Sequence, residues 1–397
     1  MVTNGLFWIL LLLGPLAYWA TPARVRMWTL AAISAAYVAS VSGWGLAVLA
    51  VLMLLTWSVR IPGGPRLGLP LRAVLLGLLG YLAWFKYVPE LAESLAPQSS
   101  LASIALPLGI SFFTFKLIHV AVEISRGNLR DRSPASFIGY VLLFPIFTAG
   151  PIEQYDHFLR NIEPRPVLKT YVEGVWRIII GLIKKFVLAE ILVFDRLMDE
   201  CTSSQFLGTL DAVSTGLAWR YLALVFLYGY FDFSAYSDIA IGAARLFGIR
   251  VTENFNNPLV ANNLSDFWKR WHMSLAAWTQ RYVYMPVLGL TRNPYVGVYA
   301  TFMAMGLWHS GTVSYLGWGL YHATGVTAAL ATARFRRGRG GRLPVIDRVP
   351  RWGTVLTWLF LTGSSIFVVT NGAGGWAIVR VVGKLIGIDV AGDSPAG

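Results

Sequence analysis

The sequence predicts an all-α membrane protein that crosses the bilayer many times, and three observations support this class. Of the 397 residues, 56% are hydrophobic and 13% are charged, whereas soluble domains carry roughly 25% charged residues. The mean hydropathy is +0.58. Trp, Tyr and Phe make up 14% of the chain, which suits aromatic belts at two membrane interfaces. A soluble protein of this length would need polar surface that this chain lacks.

The chain is strongly basic, with 33 Lys and Arg against 20 Asp and Glu and a net charge of +13. The cations cluster between apolar runs, as expected for loops held near anionic lipid headgroups. We therefore expect the basic side chains to contact membrane lipids, and we expect no nucleic-acid partner. The chain has one cysteine, Cys201, which excludes an internal disulfide and a Cys-based metal site. We expect no bound metal.

The first part of the chain contains several apolar runs, and a spanning helix needs about 20 such residues. The run at 6–20 has no cationic stretch before it, so it is predicted to be a retained membrane helix and not a signal peptide. Residues 28–59 are long enough for two short spans joined by a turn at 42–45. The Pro and Gly residues at 61–65 are predicted to separate this segment from the next helix. A further span is predicted at 71–88 and a polar loop at 89–100.

A polar stripe marks the span that begins near residue 106. Lys116, His119 and Glu123 are spaced by three and four residues, so they share one helix face. Such a stripe should face protein or water and not lipid. The apolar run at 137–149 is short for a span, which favours a re-entrant segment buried in protein. His119 and His157 are predicted to be structural or interfacial.

The second half of the chain alternates apolar runs with charged or Asn-rich stretches. Residues 251–265 are predicted to be irregular, and 267–288 to be an interrupted amphipathic segment. Seven arginines within 334–351 predict a cytoplasmic loop. In total we expect about eleven spans in a single membrane-embedded domain over residues 1–397. The remaining predicted spans are 174–194, 217–231, 235–247, 296–308, 317–333, 355–370 and 376–388.

Histidines are the strongest candidates for chemistry, because the sequence contains no P-loop, no zinc-binding His-Glu-x-x-His and no Gly-x-Ser-x-Gly elbow. Three of the five histidines lie between residues 272 and 322. His309 ends an apolar run, where a polar side chain indicates function. His272 follows an interfacial Trp-Lys-Arg-Trp stretch. From the residues alone, a packing role for either histidine remains open.

Several polar and aromatic residues near these histidines are candidates for lining one cavity. His322 is the third histidine that is a candidate for lining that cavity. Lys269 and Arg270 form a basic pair that could attract a phosphorylated donor. The other candidate lining residues are Asp238, Asn254, Asp266, Trp268, Trp308 and Ser310.

A set of short motifs connects these residues with a known family. The second half contains Phe-Asp-Phe-Ser-Ala-Tyr-Ser-Asp at 231–238, Asn-Phe-Asn-Asn-Pro at 254–258, Asp-Phe-Trp-Lys-Arg-Trp-His-Met-Ser-Leu at 266–275, Tyr-Val-Tyr-Met-Pro at 282–286 and Gly-Leu-Trp-His at 306–309. Matching motifs upstream are Gly-Ile-Ser-Phe-Phe-Thr-Phe at 109–115 and Phe-Pro-Ile-Phe-Thr-Ala-Gly-Pro at 144–151. Over residues 105–325 the chain resembles the bacterial branch of the membrane-bound O-acyltransferase family, which acts on alginate and teichoic acids.

The resemblance implies a fold, a reaction and a pair of catalytic residues. The fold would be a ring of tilted helices around a central funnel. The family's Trp-His histidine maps onto His309, and the Arg-Trp-His histidine maps onto His272. Ser310 departs from the family, which usually has Gly there. No tightly bound cofactor is implied; the donor would be an acyl thioester, either acyl-CoA or the phosphopantetheine of an acyl carrier protein.

The implied reaction moves a short acyl group, most simply acetyl, from a cytoplasmic donor to hydroxyls of a cell-surface polysaccharide. The implied partners are a donor or carrier protein on the cytoplasmic side and an extracytoplasmic acyltransferase with its glycopolymer acceptor. The implied location is the bacterial inner membrane. Transfer of D-alanine to teichoic acid is an alternative. A secondary transporter or flippase is a rival of another class, since Asp232, Asp238 and the Asn-rich stretch could form an ion site. A non-catalytic envelope scaffold is a third.

Overall fold

A computed structural model of the protein describes residues 3–60, 68–95, 98–101, 103–104, 106–107, 109–129, 133–338 and 352–390. These residues are all-helical, with 76% helix, and their only strand-like pairing is an isolated bridge between Ile162 and Ile249. The cytoplasmic loop predicted at 334–351 lies mostly outside the described residues.

The α-helices of the first half begin at a side-chain cap where the sequence provides one. Asn4 caps α1, and Ser133 caps α6, because their side-chain oxygens accept from otherwise unpaired N–H groups. The helices are α1 Gly5–Ala20, α2 Arg26–Val41, α3 Gly43–Trp57, α4 Leu69–Leu95, α5 Ile110–Ser125, α6 Pro134–Leu142, α7 Tyr155–Arg160 and α8 Leu168–Leu182.

A π-helix at Ile183–Leu197 follows α8 directly. Its backbone carries one more residue in each hydrogen-bonded turn than an α-helix does. The side chain of Lys185 bonds Glu190 within this segment and Asp232 on a later helix, both at 2.6 Å. The pairing stabilises a lysine that is mostly buried.

The second half contains the helices that carry the candidate histidines. Asn263 caps α11 and Asn293 caps α14. A short π-helix, Gln280–Tyr284, joins α12 to α13. The helices are α9 Ser203–Gly208, α10 Thr215–Leu246, α11 Leu264–Trp268, α12 Met273–Thr279, α13 Met285–Thr291, α14 Pro294–His309, α15 Val313–Gly338, α16 Trp352–Val369 and α17 Gly374–Leu385.

Several predicted boundaries are confirmed, and two are wrong. The turn at Ser42 separates α2 from α3, and the segment from α11 to α13 is interrupted as expected. The runs predicted as two spans at 217–231 and 235–247 form one helix, α10, because Asp232 and Asp238 are paired with cations and need no break. The polar loop predicted to start at Pro89 is wrong at its beginning, since α4 continues through Pro89 to Leu95.

Two described helices, over Leu69–Ala92 and Trp352–Val369, are both long and apolar enough to cross a membrane. Three more apolar helices are shorter, over Gly5–Ala20, Gly43–Trp57 and Pro134–Ile146. The count of about eleven spans and the ring around a funnel therefore stay predictions.

The fold divides into two compact units, which the sequence did not indicate. The first unit comprises Met1–Leu182 and Tyr236–Glu253, and the second comprises Ile183–Ala235 and Asn254–Gly397. A single membrane-embedded domain stays a prediction.

The first unit is built around the polar face of α5, whose Lys116 and His119 are buried. The ammonium group of Lys116 donates to the carbonyl of Tyr140 at 3.0 Å, and His119 accepts from the backbone N–H of Tyr155 at 3.0 Å. Buried polar groups need such partners. These bonds agree with the structural role predicted for His119.

Glu153 ties the same unit together near α7. Its carboxylate bonds His157 at 2.5 Å and accepts from the backbone N–H of Thr252 at 2.6 Å. The hydrogen bond with Glu153 raises the pKa of His157 above its ordinary value. His157 therefore belongs to a structural ion pair, as predicted.

Candidate functional site

His309 is the last residue of α14 in the second unit, and its side chain is exposed. Its ring stacks on Tyr315, with centroids 5.1 Å apart and planes at 16°. Trp308 and Trp318 pack against it at 4.5 and 5.3 Å. An imidazole held by three aromatic rings, yet open on one side, is fixed in orientation and accessible to a reacting group.

His272 is buried, with 4% of its surface exposed, and caps the start of α12. Its backbone is left-handed, with φ 44° and ψ 51°, a conformation uncommon for residues other than glycine. Its ring packs edge-on against Phe233 at 4.7 Å and lies 6.1 Å from Trp308. Its Nδ1 atom has no hydrogen-bond partner among the described residues. That nitrogen is buried together with the ring, so it is shielded from bulk water in this structure.

His322 lies on α15 and is 2% exposed. Trp318, one turn earlier on the same helix, packs against it at 4.5 Å and also contacts His309. Trp308 likewise contacts both His272 and His309. The three candidate histidines thus belong to one continuous aromatic network, in which one tryptophan lies between each neighbouring pair.

Asn254 positions His272 through the residues that follow it. Its side-chain oxygen accepts from the hydroxyl of Ser274 at 2.5 Å, and its backbone oxygen accepts from the N–H of Met273 at 2.9 Å. Asn254 is fully buried. Asn254 therefore stabilises the left-handed turn at His272 by bonding the two residues that follow it, Met273 and Ser274.

The other candidate residues have mainly local roles. Asp266 accepts from the Arg270 guanidinium at 2.8 Å and from the backbone N–H of Asn262 at 3.3 Å. Lys269 is exposed and forms no ion pair within the described ranges. Ser310 is buried and accepts from the N–H of Thr312 at 3.3 Å, which closes the loop after α14.

Asp238 belongs to the first unit, on the last part of α10. Its carboxylate bonds the guanidinium of Arg177 at 2.5 Å, and Arg177 also pairs with Glu253. The structure therefore places Asp238 in an ion-pair network of the first unit, while the three histidines belong to the second. Among the described residues no group of three or more His, Cys, Asp or Glu side chains is arranged to hold a metal ion.

Sequence reasoning identified Trp308 but missed three other aromatic residues that pack against the histidines, Phe233, Tyr315 and Trp318. Tyr315, Trp318 and His322 are spaced by three and four residues on α15, so they share one helix face. That spacing was the signal available in the sequence. Phe233 had no comparable signal, because its contact with His272 joins distant parts of the chain.

The close packing of α14 on α15 fixes the end of the helix that carries His309. A Cβ atom on Gly306 would collide with the carbonyl oxygen of Tyr315, and one on Gly319 would lie 2.7 Å from the carbonyl oxygen of Phe302. Small residues let the backbones of membrane helices approach this closely. The two glycines therefore bring Tyr315 and His309 into contact.

Asn254→Ala is expected to lower acyl transfer about 10- to 10²-fold, because even a small misplacement of a catalytic group is costly. Removal of the buried amide should also destabilise the protein by about 1–3 kcal/mol. Transfer rate and melting temperature in detergent are the measurements. Asn256→Ala is the matched control, since the Asn256 side chain is exposed. Equal activity in the two variants would show that Asn254 does not position His272.

Comparison with known proteins places the chain in a family. The model of the MBOAT, membrane-bound O-acyltransferase family matches residues 30–368. A probable alginate O-acetylase of Azotobacter vinelandii is 31% identical over an alignment of 385 residues, which covers 91% of this chain and 71% of that protein. A probable alginate O-acetylase of Pseudomonas aeruginosa is 33% identical over an alignment of 282 residues, which covers 65% of this chain and 53% of that protein.

A relative with another named activity has a comparable identity over a smaller share of the chain. The teichoic acid D-alanyltransferase of Bacillus subtilis is 32% identical over an alignment of 237 residues, which covers 55% of this chain and 58% of that protein. The chain spans little more than half the length of the Pseudomonas and Bacillus relatives. The family match, in contrast, extends over most of the chain. The chain therefore belongs to the membrane-bound O-acyltransferase family, a family of acyltransferases.

Proposed function

We propose that the protein transfers a short acyl group, acetyl in the simplest case, from a cytoplasmic thioester to hydroxyls of a cell-surface polysaccharide. The observation that carries this proposal is the accessible imidazole of His309, linked through one tryptophan to the buried His272. Family membership supports an acyltransferase over a transporter or a scaffold. Relatives named for alginate O-acetylation support a polysaccharide acceptor.

In the proposed reaction His309 is the general base. It takes the hydroxyl proton of the acceptor as the hydroxyl oxygen bonds to the thioester carbonyl carbon. A hydroxyl is a poor nucleophile without such a base. The tetrahedral intermediate then collapses: the carbon–sulfur bond breaks, and the thiolate receives the proton from the His309 imidazolium. The products are an ester and a free thiol.

His272 is proposed to stabilise the oxyanion that forms on the carbonyl oxygen. In the tautomer that carries a proton on Nδ1, His272 would donate a hydrogen bond to this oxyanion. No described residue accepts a hydrogen bond from that nitrogen. A preorganised donor in a site that excludes water contributes more to catalysis than the same donor in water. His309 and His272 are thus proposed as the catalytic residues, and His322 and Trp308 as walls of the cavity.

Assays with two donors test the proposal and separate its alternatives. The protein in membrane vesicles would receive a radiolabelled acetyl thioester or a D-alanyl thioester on a carrier protein. Label that accumulates in the polymer fraction from the acetyl donor supports acetylation. Label from D-alanine alone would favour the second candidate, which the Bacillus relative supports. Label from neither donor would overturn the proposed function.

The donor is proposed to approach Lys269, because this lysine is exposed while Arg270 bonds Asp266. Lys269→Glu should raise the KM for a phosphorylated thioester donor about tenfold, since the reversal replaces an attraction of up to about 1 kcal/mol by a similar repulsion. The difference should shrink at high salt. Lys169→Glu, at an exposed lysine of the first unit, is the control. An unchanged KM with intact folding would make Lys269 a lipid-headgroup contact only.

The proposed direction of transfer requires the basic loop at 334–351 to lie on the cytoplasmic side of the inner membrane. A cysteine introduced close to Arg339, in a Cys201→Ser background, should react with an impermeant maleimide only after the cells are opened. The single native cysteine makes this background simple to prepare. Reaction in intact cells would reverse the proposed topology.

A further inference from the structure

The part of α10 that belongs to the second unit carries two different sets of side chains. Phe226, Tyr230 and Phe233 are spaced by four and three residues, so they share one face. Tyr228 and Asp232 are four residues apart and share another face. At 3.6 residues per turn, these two faces point in nearly opposite directions. We call them the aromatic face and the polar face of α10.

The aromatic face supports His272 and the residue before it. Phe226 and Tyr230 both pack on Trp271, with ring centroids 5.7 and 5.9 Å from the indole. Phe233 packs edge-on against the imidazole of His272 at 4.7 Å. Each residue of this face therefore contacts Trp271 or His272, and a movement of α10 would carry the imidazole with it.

The polar face joins α10 to the π-helix at Ile183–Leu197. The carboxylate of Asp232 bonds the ammonium group of Lys185 at 2.6 Å, and the hydroxyl of Tyr228 donates to Glu190 at 3.3 Å. Lys185 also bonds Glu190 at 2.6 Å, and only 16% of its side chain is exposed. The four side chains thus form one network, which resists separation because breaking a mostly buried ion pair leaves an unpaired charge.

The two faces constrain the helix in different ways. Apolar burial is non-directional, so aromatic packing alone leaves a helix free to slide or rotate slightly. A charge-assisted hydrogen bond fixes both the distance and the direction between its partners. The polar face therefore sets the height and the rotation of α10, and the aromatic face on the other side passes that setting to His272.

We propose that Asp232 is a positioning residue for His272: its ion pair with Lys185 fixes α10, so that Phe233 holds the imidazole in one orientation. The functional meaning of this orientation rests on the proposed function, in which His272 stabilises the oxyanion. Asp232 acts through Phe233 and is not itself a catalytic residue. The role also accounts for a carboxylate within an apolar stretch of α10, where an ionised side chain is costly unless it is paired.

The orientation of His272 can be measured without acyl transfer. The chain has five histidines, so protein with isotope-labelled imidazoles in lipid bilayers gives five sets of ring signals in solid-state NMR. His272→Asn identifies the signals of His272, because Asn tolerates the left-handed backbone there. Asp232→Asn keeps the size of the side chain and removes its charge. This variant should displace the His272 signals and leave those of His119 and His157, in the first unit, in place. Unmoved His272 signals would overturn the proposal, whichever acyl donor the protein uses.

Three further variants make the NMR result specific. Phe233→Leu removes the ring beside the imidazole and should displace the same signals. Asp211→Asn breaks an ion pair with Arg380 in the same unit, 2.9 Å long, and should leave them in place. An equal displacement in Asp211→Asn would overturn a specific role for Asp232. If Asp232→Asn does not insert into the membrane, Tyr228→Phe tests the same polar face by removing one hydroxyl. It should displace the His272 signals to a smaller extent, and no displacement would overturn the proposal.

Kinetics test whether the orientation matters for acyl transfer. Asp232→Asn should lower kcat about tenfold and leave the KM of the thioester donor unchanged, because an oxyanion donor acts in the transition state. Asp232→Glu restores the carboxylate, which the flexible side chain of Lys185 can follow, and should recover most of the rate. A purely structural role would reduce the amount of folded protein but leave kcat per folded molecule unchanged, and that result would overturn the positioning role.

Discussion

His309→Ala should abolish most acyl transfer and leave the protein folded in the membrane. Removing a general base typically lowers the rate about 10²- to 10⁴-fold. The side chain is exposed at the end of α14, so its loss leaves no buried cavity. The measurement is acyl transfer to the surface polymer at matched amounts of membrane-inserted protein. His309→Gln, which keeps a polar group of similar length, should be equally inactive because an amide does not take up the proton.

The comparison with His272→Ala separates a base from a residue that stabilises the oxyanion. Loss of one oxyanion donor typically costs about 10²- to 10³-fold, so both variants should be slow. The pH profile distinguishes them, since only the base must titrate for turnover. Full activity in His309→Ala, with normal membrane insertion, would end the mechanism proposed for this protein.

Gly306→Ala should destabilise the second unit and lower activity together. The new methyl group would collide with the carbonyl oxygen of Tyr315, and a backbone atom cannot rotate away as a side chain can. Overpacking of this kind typically costs about 1–3 kcal/mol. The strain would move α14 away from α15 and separate His309 from Tyr315. We expect a lower melting temperature in detergent and at least a tenfold loss of acyl transfer, as a small misplacement of a catalytic group suffices for this.

Gly229→Ala is the matched control, because Gly229 also lies within a helix but a Cβ atom there meets no atom within 4 Å. The added methyl group favours the helix by about 1 kcal/mol, so this variant should be as stable as the parent or more stable. Gly319→Ala tests the same contact from α15 and should resemble Gly306→Ala. If Gly306→Ala keeps both its stability and its activity, the close approach of α14 to α15 is not required for either property.

Composition and hydropathy were sufficient to predict the helical class, because burial in lipid requires every backbone group to bond within a helix. The sequence also predicted that His272, His309 and His322 line one cavity, and the aromatic network brings them together. In the sequence, these residues are polar side chains within or beside apolar stretches. Such side chains indicate function because a polar group is costly in an apolar environment.

Other features depended on contacts between distant residues and could not be predicted. Asp232 and Asp238 suggested a break between two spans, but each carboxylate is neutralised by a cation from another part of the chain, Lys185 and Arg177. The helix therefore continues through both. The ion pair between Asp238 and Arg177 likewise could not be read from the sequence, and the role of Asp238 in lining the cavity stays a prediction.

The π-helix at Ile183–Leu197 has a consequence for how charges are spaced along a chain. Lys185 and Glu190 are five residues apart, a separation that would place them on different faces of an α-helix with its 3.6 residues per turn. The wider π winding, with bonds from i to i+5, brings them to one face and lets them bond at 2.6 Å. The ion pair and the winding therefore reinforce each other. A five-residue interval between opposite charges in an apolar segment therefore matches a π-helix better than an α-helix. Deletion of one residue between Lys185 and Glu190 would shorten the interval to four, which no longer matches the π winding.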